Sequence, residues 1–533
     1  MKNAPALAEG DRGGRLTMDS TPIASDSTEA AQLMERARAN LDRRKITSPN
    51  NGSNGGRPRA PNHADTATLF LKEKLSENGV PTVRHWRDTW WTYSATGWAS
   101  ATHGEMLKRI LTWLQTKDEP LADFCTITYA QNVLANLSAF ELCGIPATAE
   151  RPCWLASGED ARNWMAFSNG LAVDVWDYAE ALAKNEVPAG CVRSVTPDLF
   201  STDYVPYPWD EDPGEPELFL KYLRRVCPAF DVFEAVRRAA GLLLADCSRF
   251  EVFFQLVGNG ANGKTVLLDI IEALVGRQNV SHVALESLAP GMRFQSWPLA
   301  TAKVNISGEL ATDIGHANLA AVEGQFKHAV SGGNIEIERK GVDKMLARCR
   351  ARFIMASNTL PTFIDKTDAI WRRLRIIPFD VQIPNHERDV HLAAKIVSSE
   401  LPAILLWALN GLADVIRDGH FQECSRGAAI KEMHRSTCDH EREFLAEHFE
   451  AGDDSDRIAS AVLYDEYKTW MSANGYRGVM GAGKFKQRVE ETFPAAVSGN
   501  IRVNQVEVAK GWKGIRRRVA DVAAAILDNH KPN

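Results

Sequence analysis

The stretch from Phe253 to Gly276 (FFQLVGNGANGKTVLLDIIEALVG) constrains this chain more than any other. An apolar run, Phe253 to Val257, ends in the glycine-rich turn Gly258-Asn259-Gly260-Ala261-Asn262-Gly263. Lys264 and Thr265 follow, and then an apolar-periodic segment carrying Val266, Leu267, Ile270, Ile271 and Leu274. That is strand, loop and helix, with the pattern G-x-x-x-x-G-K-[ST] complete at Gly258, Gly263, Lys264 and Thr265. Glycines let the backbone curl so that its N–H groups face a phosphate, and the start of the helix adds partial positive charge. The pattern predicts an α/β chain with a P-loop NTPase core. In it, residues 258–265 bind ATP, Lys264 reaches the β- and γ-phosphates and the Thr265 hydroxyl holds Mg²⁺.

At 533 residues the chain has room for two to four domains. Its net charge of −6 does not advertise nucleic acid, so any basic surface must be local. Nine cysteines are scattered without a C-x-x-C pair, which fits reduced thiols better than a zinc site or a disulfide framework. No apolar run reaches the length of a membrane span, and Asp11, Arg12 and Arg15 stand where a signal peptide needs apolar residues. A cytoplasmic location without membrane attachment is the expectation.

In chain order, residues 1–63 are polar and rich in Gly, Ser, Asn and Pro and are expected to be disordered, with a short helix possible over Glu29–Asn40. Residues 64–214 form a predicted N-terminal α+β domain. It has a helix over Asp65–Asn78, strands over Thr82–Trp86 and Thr89–Ser94, and a turn closed by Gly97-Trp98. The aromatics Trp86, Trp90, Trp91, Tyr93 and Trp98 suit either base stacking or packing, and packing is preferred. An acidic linker, Trp209 to Gly214, leads to the predicted ATPase core, residues 215–385. A helical extension (386–436) follows. In residues 437–533, helices precede strand-like RVNQVEV (Arg502 to Val508), which suggests a winged-helix-like module.

Hydrolysis needs a carboxylate on a second strand. Glu309, at the end of the strand Ala302–Ile306, is the candidate base. A third strand, within Arg350–Asn358, ends in Asn358, placed to bond the γ-phosphate or the lytic water. Arg372 and Arg373 precede another apolar strand and suit a finger acting across a subunit boundary. Between these, Phe326 to Lys344 reads as a β-hairpin with Arg339 and Lys340 at its tip, suited to a phosphate backbone and equally well to a solvated loop.

In this order the segments resemble the superfamily 3 helicases of the poxvirus-type and phage/plasmid primase-helicase family. GNGANGKT is similar to that family's Walker A, VNISGEL to its Walker B and FKHAVSGGNIEIERK to its hairpin. RFIMASN is similar to its sensor strand and WRRLRIIPF to its finger segment. WMAFSNGL before the core and ELPAILLWALNGL after it add to the likeness, which spans roughly residues 64 to 480. The resemblance implies an AAA+-like core with a helicase-associated domain in front. It also implies a homo-oligomeric ring, typically a hexamer, moving 3′ to 5′ on a single DNA strand threaded through its channel. Carried over by position, Glu309 is catalytic, Asn358 the sensor, Arg373 the finger with Arg372 as the neighbouring candidate, and Lys340 the DNA-gripping tip. Ser307 and Gly308 stand where many Walker B motifs carry an acid, which routes Mg²⁺ contact through Thr265 and water. Gly341 replaces the basic or aromatic residue often found at the hairpin tip. The chain before residue 64 is too short for a polymerising domain, so a helicase without an attached primase is expected, with a separate primase or replisome protein as a possible partner. An initiator or loader ATPase that binds DNA without processive unwinding is the competing reading.

Overall fold

The computed structural model describes residues 60–518, apart from 78, 95–96, 146–150, 247, 290–295, 309–315, 340–341, 362, 364–367, 475–478 and 504–506. The expectations for residues 1–59, for Glu309 and for Lys340 and Gly341 therefore fall outside the described residues. The chain divides into two compact units, Met1–Asp160 with Thr196–Ser201, and Ala161–Val195 with Thr202–Asn533. The acidic segment Trp209–Gly214 thus lies inside the second unit rather than at a boundary.

In the first unit, Asn62 caps helix α1 (His63–Lys74) by accepting the Ala64 N–H at 2.9 Å. An antiparallel meander of β1 (Val83–Trp86), β2 (Thr89–Ser94) and β3 (Gly97–Ala101) follows. Gly97, at φ +88° and paired with Ser94, closes the connection between the second and third strands as expected, and Trp98 pairs across from Tyr93 with ring centres 5.5 Å apart. That aromatic pair stabilises the strand register. Helix α2 (His103–Leu114) starts in a complete Thr102/Glu105 capping box. Helix α3 (Ile127–Ser138) packs with α1 and α2 through Phe70, Ile110, Trp113 and Val133. The aromatics of the meander take the packing role: Trp90 and Trp98 are buried, and Trp86, Trp91 and Trp98 meet Phe200 edge-on at 5.5–5.7 Å.

The second unit begins with a hairpin, β4 (Trp164–Phe167) and β5 (Leu171–Asp174), then helix α4 (Val175–Lys184). Helices α5 (Glu217–Val226) and α6 (Phe230–Leu244) lead into the central sheet. Its strands are β6 (Phe253–Val257), β7 (Val280–Ser281), β8 (Val304–Ser307), β11 (Arg352–Ser357) and β12 (Leu374–Pro378). They are all parallel and lie in the order β7-β8-β11-β6-β12. Parallel strands require crossovers, and the first is α7 (Lys264–Val275). Helix α8 (His316–Val330) comes later, followed by the hairpin β9 (Asn334–Arg339) and β10 (Val342–Arg348), which pair antiparallel away from the sheet. β6 is buried along Phe253 to Leu256, as a strand covered on both faces must be. Helix α9 (Asp368–Trp371) precedes β12, and α10 (Leu392–Ser399) and α11 (Leu401–Asp418) follow it. Leu405, Ala408, Leu409 and Leu412 of α11 join Val236, Ala240 and Leu243 of α6 in the largest core.

The C-terminal residues build a separate core around Phe444, Tyr467, Phe485 and Trp512. Here α12 (His440–His448), strand β13 (Arg457–Ala459), α13 (Ser460–Ala473) and α14 (Ala482–Thr492) precede a hairpin of β14 (Val497–Val503) and β15 (Glu507–Lys513). β13 joins the hairpin in the sheet order β13-β15-β14. The strand expected over Arg502–Val508 is instead divided between the two arms, with Val503 paired to Glu507.

Among the described residues no single helix is long and apolar enough to cross a membrane, and no group of His, Cys, Asp and Glu is arranged to hold a metal ion. The described cysteines are free thiols, all buried except the half-buried Cys125.

Candidate active site

The loop between β6 and α7 is curled by three consecutive left-handed or near-consecutive positions, Gly260 at φ +79°, Ala261 at +50° and Gly263 at +89°. At Gly263 a side chain is excluded twice over. The positive φ disfavours it, and a Cβ would sit 2.9 Å from Val226 Cγ1 and 3.1 Å from the Tyr222 ring. Gly258 is also fixed by contact, since a Cβ there would fall 2.2 Å from both Asn262 Nδ2 and the Phe379 carbonyl oxygen.

The curled loop is held from two sides. Tyr222 of α5 donates its hydroxyl to the Gly263 carbonyl at 2.8 Å, and burial raises its pKa well above that of an ordinary phenol. Beyond β12, Phe379 accepts from Asn262 Nδ2 at 3.0 Å, and the Ile383 N–H donates to the Ala261 carbonyl at 2.8 Å. Neither Tyr222 nor Phe379 carries a signal in the sequence as a loop-holding residue; Tyr222 reads there as one apolar position of an amphipathic helix.

Lys264 is buried, and its ammonium donates to the Gly258 carbonyl at 2.5 Å and to Asn262 Oδ1 at 3.2 Å. It therefore lies inside the curl of the loop. Thr265 is exposed on the first turn of α7, and Gly263 caps that helix without a side chain. The first-turn N–H groups thus have no side-chain acceptor competing for them.

Two neighbouring strands deliver further groups to the same end of the sheet. β11 pairs with β6 so that Ser357 lies beside Val257, which puts the exposed Asn358 next to Gly258. The turn at Asn358 is fixed from below: buried Gln255 donates to Ser357 Oγ at 2.8 Å, and Ser357 Oγ donates to the Thr359 carbonyl at 2.5 Å. On the far side of β11, β8 ends at Ser307. Its hydroxyl is buried and has no hydrogen-bond partner among the described residues. A buried hydroxyl left unpaired at a strand end fits a ligand or bound water, and it stands where an acidic residue was missing from the pattern. These groups fit a nucleotide with its Mg²⁺: a curled N–H loop, a lysine at its centre, an exposed threonine, an amide and an unpaired hydroxyl at one sheet edge.

The arginines lie at the other end. The Phe253 N–H donates to the Arg373 carbonyl at 3.0 Å, and β12 then runs beside β6 from Leu374 opposite Phe253 to Pro378 opposite Val257. Five strand residues span about 16 Å, so neither arginine reaches its own chain's loop. Arg373 is buried and bound within its own chain: to Ala369 O at 2.7 Å, to Glu251 at 2.5 Å and to Ser331 Oγ at 2.9 Å. Arg372 is the exposed member, and among the described residues its side chain has only a long 3.9 Å approach to Glu251. In the turn that precedes β12, Arg373 is thus directed inward and Arg372 outward. Ser331 lies at the base of the β9–β10 hairpin, so Arg373 ties that base to the entry of β6. The hairpin's backbone is confirmed, with Arg339 at the end of β9 paired to Val342.

Comparison with known proteins agrees with these segments. A family model described as a family of unknown function (DUF5906) matches residues 256–373, and the poxvirus D5 protein-like family matches residues 438–516. A helicase-named protein of Acanthamoeba polyphaga mimivirus, L207/L206, is 20% identical over 375 residues. That match covers 64% of this chain and 36% of the viral protein. Among solved structures, the apo C-terminal region of NrS-1 (305–718) superposes with a TM-score of 0.47 at 10% identity, covering 86% of this chain and all of that one. A second apo form of the same region gives 0.45, and at this level neither likeness carries a functional inference. The family match and the helicase-named relative bear out the resemblance to the poxvirus-type and phage primase-helicase family.

Proposed function

We propose that the chain is an ATP-dependent DNA helicase that works as a ring of identical subunits, typically six, in the replication of a phage, plasmid or integrated element. The observation that carries the reading is the division of labour between the two ends of one parallel sheet. Lys264, Thr265, Ser307 and Asn358 gather at one end, while Arg372 is exposed about 16 Å away at the other. An exposed arginine out of reach of its own loop suits a neighbouring subunit's nucleotide, and so supports a shared hydrolytic site.

In this reading Lys264 leaves the Gly258 carbonyl when ATP enters and pairs with the β- and γ-phosphates, while the first-turn N–H groups of α7 bind the remaining oxygens. Thr265 would hold Mg²⁺ directly and Ser307 through water; the ion supplies charge neutralisation across the β- and γ-phosphates. Glu309 follows Ser307 by two residues and takes the proton of the attacking water. Asn358 orients that water or the γ-phosphate, and Arg372 of the adjoining subunit stabilises the charge that develops. Arg373 positions Arg372 and the hairpin base. Arg339 and Lys340 at the hairpin tip grip the backbone of the single strand in the channel and carry the cycle to DNA. Movement 3′ to 5′, and cooperation with a separate primase, come with the family reading. The C-terminal helices and hairpin follow a winged-helix order, and that order is what favours the second reading, an initiator or loader that recognises duplex DNA.

The decisive measurement is ATP-dependent displacement of a labelled strand from forked DNA by wild type and by Lys264→Ala. Displacement by the wild type, lost in the variant, is expected. Hydrolysis on DNA without displacement would move the assignment to the initiator or loader.

A further inference from the structure

A second cavity lies far from the nucleotide loop in sequence, within the C-terminal core. It encloses about 390 Å³ between α13, α14 and the β14–β15 hairpin. That is the size of pockets that take one small molecule, roughly 300–1,000 Å³. Tyr464 and Phe485 form an aromatic wall, Lys486 and Lys510 bring two ammonium groups, and Ser498 and Asn500 add polar groups; no carboxylate lines it.

The wall is held rigidly. Tyr464 donates its hydroxyl to the Met480 carbonyl at 2.8 Å, and Phe485 stacks on Tyr467 with ring centres 4.5 Å apart at 17°. Gly499 and Gly511 pair across the hairpin; a Cβ on Gly499 would meet nothing within 4 Å, whereas one on Gly511 would fall 2.3 Å from Ile501 Cδ1. Both lysines are exposed. Lys510 has no ion-pair partner among the described residues, and Lys486 has only a 3.9 Å contact to Glu490.

We propose that this cavity binds one unpaired nucleotide of single-stranded DNA, with the base against Tyr464 and Phe485 and the flanking phosphates on Lys486 and Lys510. The aromatic wall supplies the π-face that a base stacks on, and the two cations without a carboxylate select an anionic ligand. A half-open pocket of this size has room for one unstacked base, whereas a duplex keeps its bases paired and stacked. The inference rests on the DNA-helicase reading for the kind of ligand, but on its own cavity for the site.

The test uses the full chain, with affinity for a labelled oligo-dT strand and for a duplex of equal length measured by fluorescence anisotropy across a salt series. Lys486→Ala/Lys510→Ala should weaken single-strand binding about tenfold and reduce the salt slope by about 1.4, at roughly 0.7 per phosphate contact. Gly499→Leu, which fills the cavity without changing charge, should weaken single-strand binding about fivefold, leave the salt slope unchanged and spare the duplex. Thermal unfolding of both variants checks that they fold. Wild-type affinity in Gly499→Leu, or equal losses on strand and duplex in the lysine variant, would overturn the cavity and leave only surface charge. If the wild type binds and displaces strands while both variants bind like it, this inference alone fails. If the wild type binds no DNA, the helicase reading fails with it.

Discussion

The two ends of the central sheet treat polar groups in opposite ways. At the carboxyl ends of the strands, Ser307 keeps a buried hydroxyl without a partner, Lys264 rests on a backbone carbonyl, and Asn358 is exposed. At the amino ends, charges are matched within the chain. Arg350 and Lys303 both bind Asp203; Arg352 and Arg348 approach Asp246 at 3.5 and 3.7 Å; Arg373 holds Glu251, Ser331 and Ala369. Burial pulls the Lys303 pKa down and Asp203 opposes that shift, so the lysine depends on its carboxylate. The amino end pairs its charges within the fold, although Arg373 Nε is buried without a hydrogen bond among the described residues, while the carboxyl end turns Lys264, Ser307 and Asn358 toward the loop. Arg372 differs from its neighbours at the amino end in being exposed, and the proposed shared site rests on that exposure.

The largest expected effect breaks or confirms that difference. Arg372→Ala should lower ATP hydrolysis by about a thousandfold while nucleotide binding stays near normal, and doping it into wild-type rings should poison them. Arg373→Ala should show mainly as lost thermal stability. A stable Arg373→Ala protein with the same hydrolytic defect would restore Arg373 as the finger.

Next in size is Asp203→Ala, which leaves Lys303 and Arg350 buried without their counter-ion. It should cost about 3–5 kcal/mol in denaturant unfolding. A loss below about 1 kcal/mol would show that this end is not held by its charge network.

Asp174 sharpens the comparison through pH. It caps α4 through the Trp176 and Asp177 N–H groups, yet burial raises its carboxyl from 3.8 to about 6. The folded state then holds this proton more tightly than the unfolded state between those values. The contribution of Asp174 to stability therefore falls as pH rises from about 4 to about 6, and the full cost remains above that. Asp174→Asn keeps the cap and removes the titration. It should be more stable than wild type at pH 8 by about 2 kcal/mol, with the gap closing near pH 4. A gap independent of pH would exclude the carboxyl as its source.

The smallest effect belongs to Ser307→Ala. Removing an unpaired buried hydroxyl should leave stability unchanged or raise it by about 1 kcal/mol. In the proposed site it should also raise the Mg²⁺ concentration for half-maximal hydrolysis a few-fold. An unaltered Mg²⁺ dependence would leave the hydroxyl without a ligand role.

Much of this was legible from spacing alone. The loop with its strand and helix followed from glycine positions and apolar periodicity, because both report local backbone geometry. The strand Thr89–Ser94 falls where the pattern puts it. The turn closed by Gly97-Trp98 does so too, with Gly97 at the positive φ of +88° that favours glycine.

The sequence by itself determined the glycine-rich loop between a strand and a helix, and in what order the segments bearing Ser307, Asn358 and the paired arginines follow it. Only the tertiary structure decided which of Arg372 and Arg373 faces outward, since adjacent residues look alike until the turn before β12 buries one of them. It also decided that Asp203 meets Arg350 across 147 positions and that Tyr222 holds Gly263 across 41, contacts that no local pattern encodes. Periodicity reports a residue's own backbone, whereas partners far along the chain are chosen by packing.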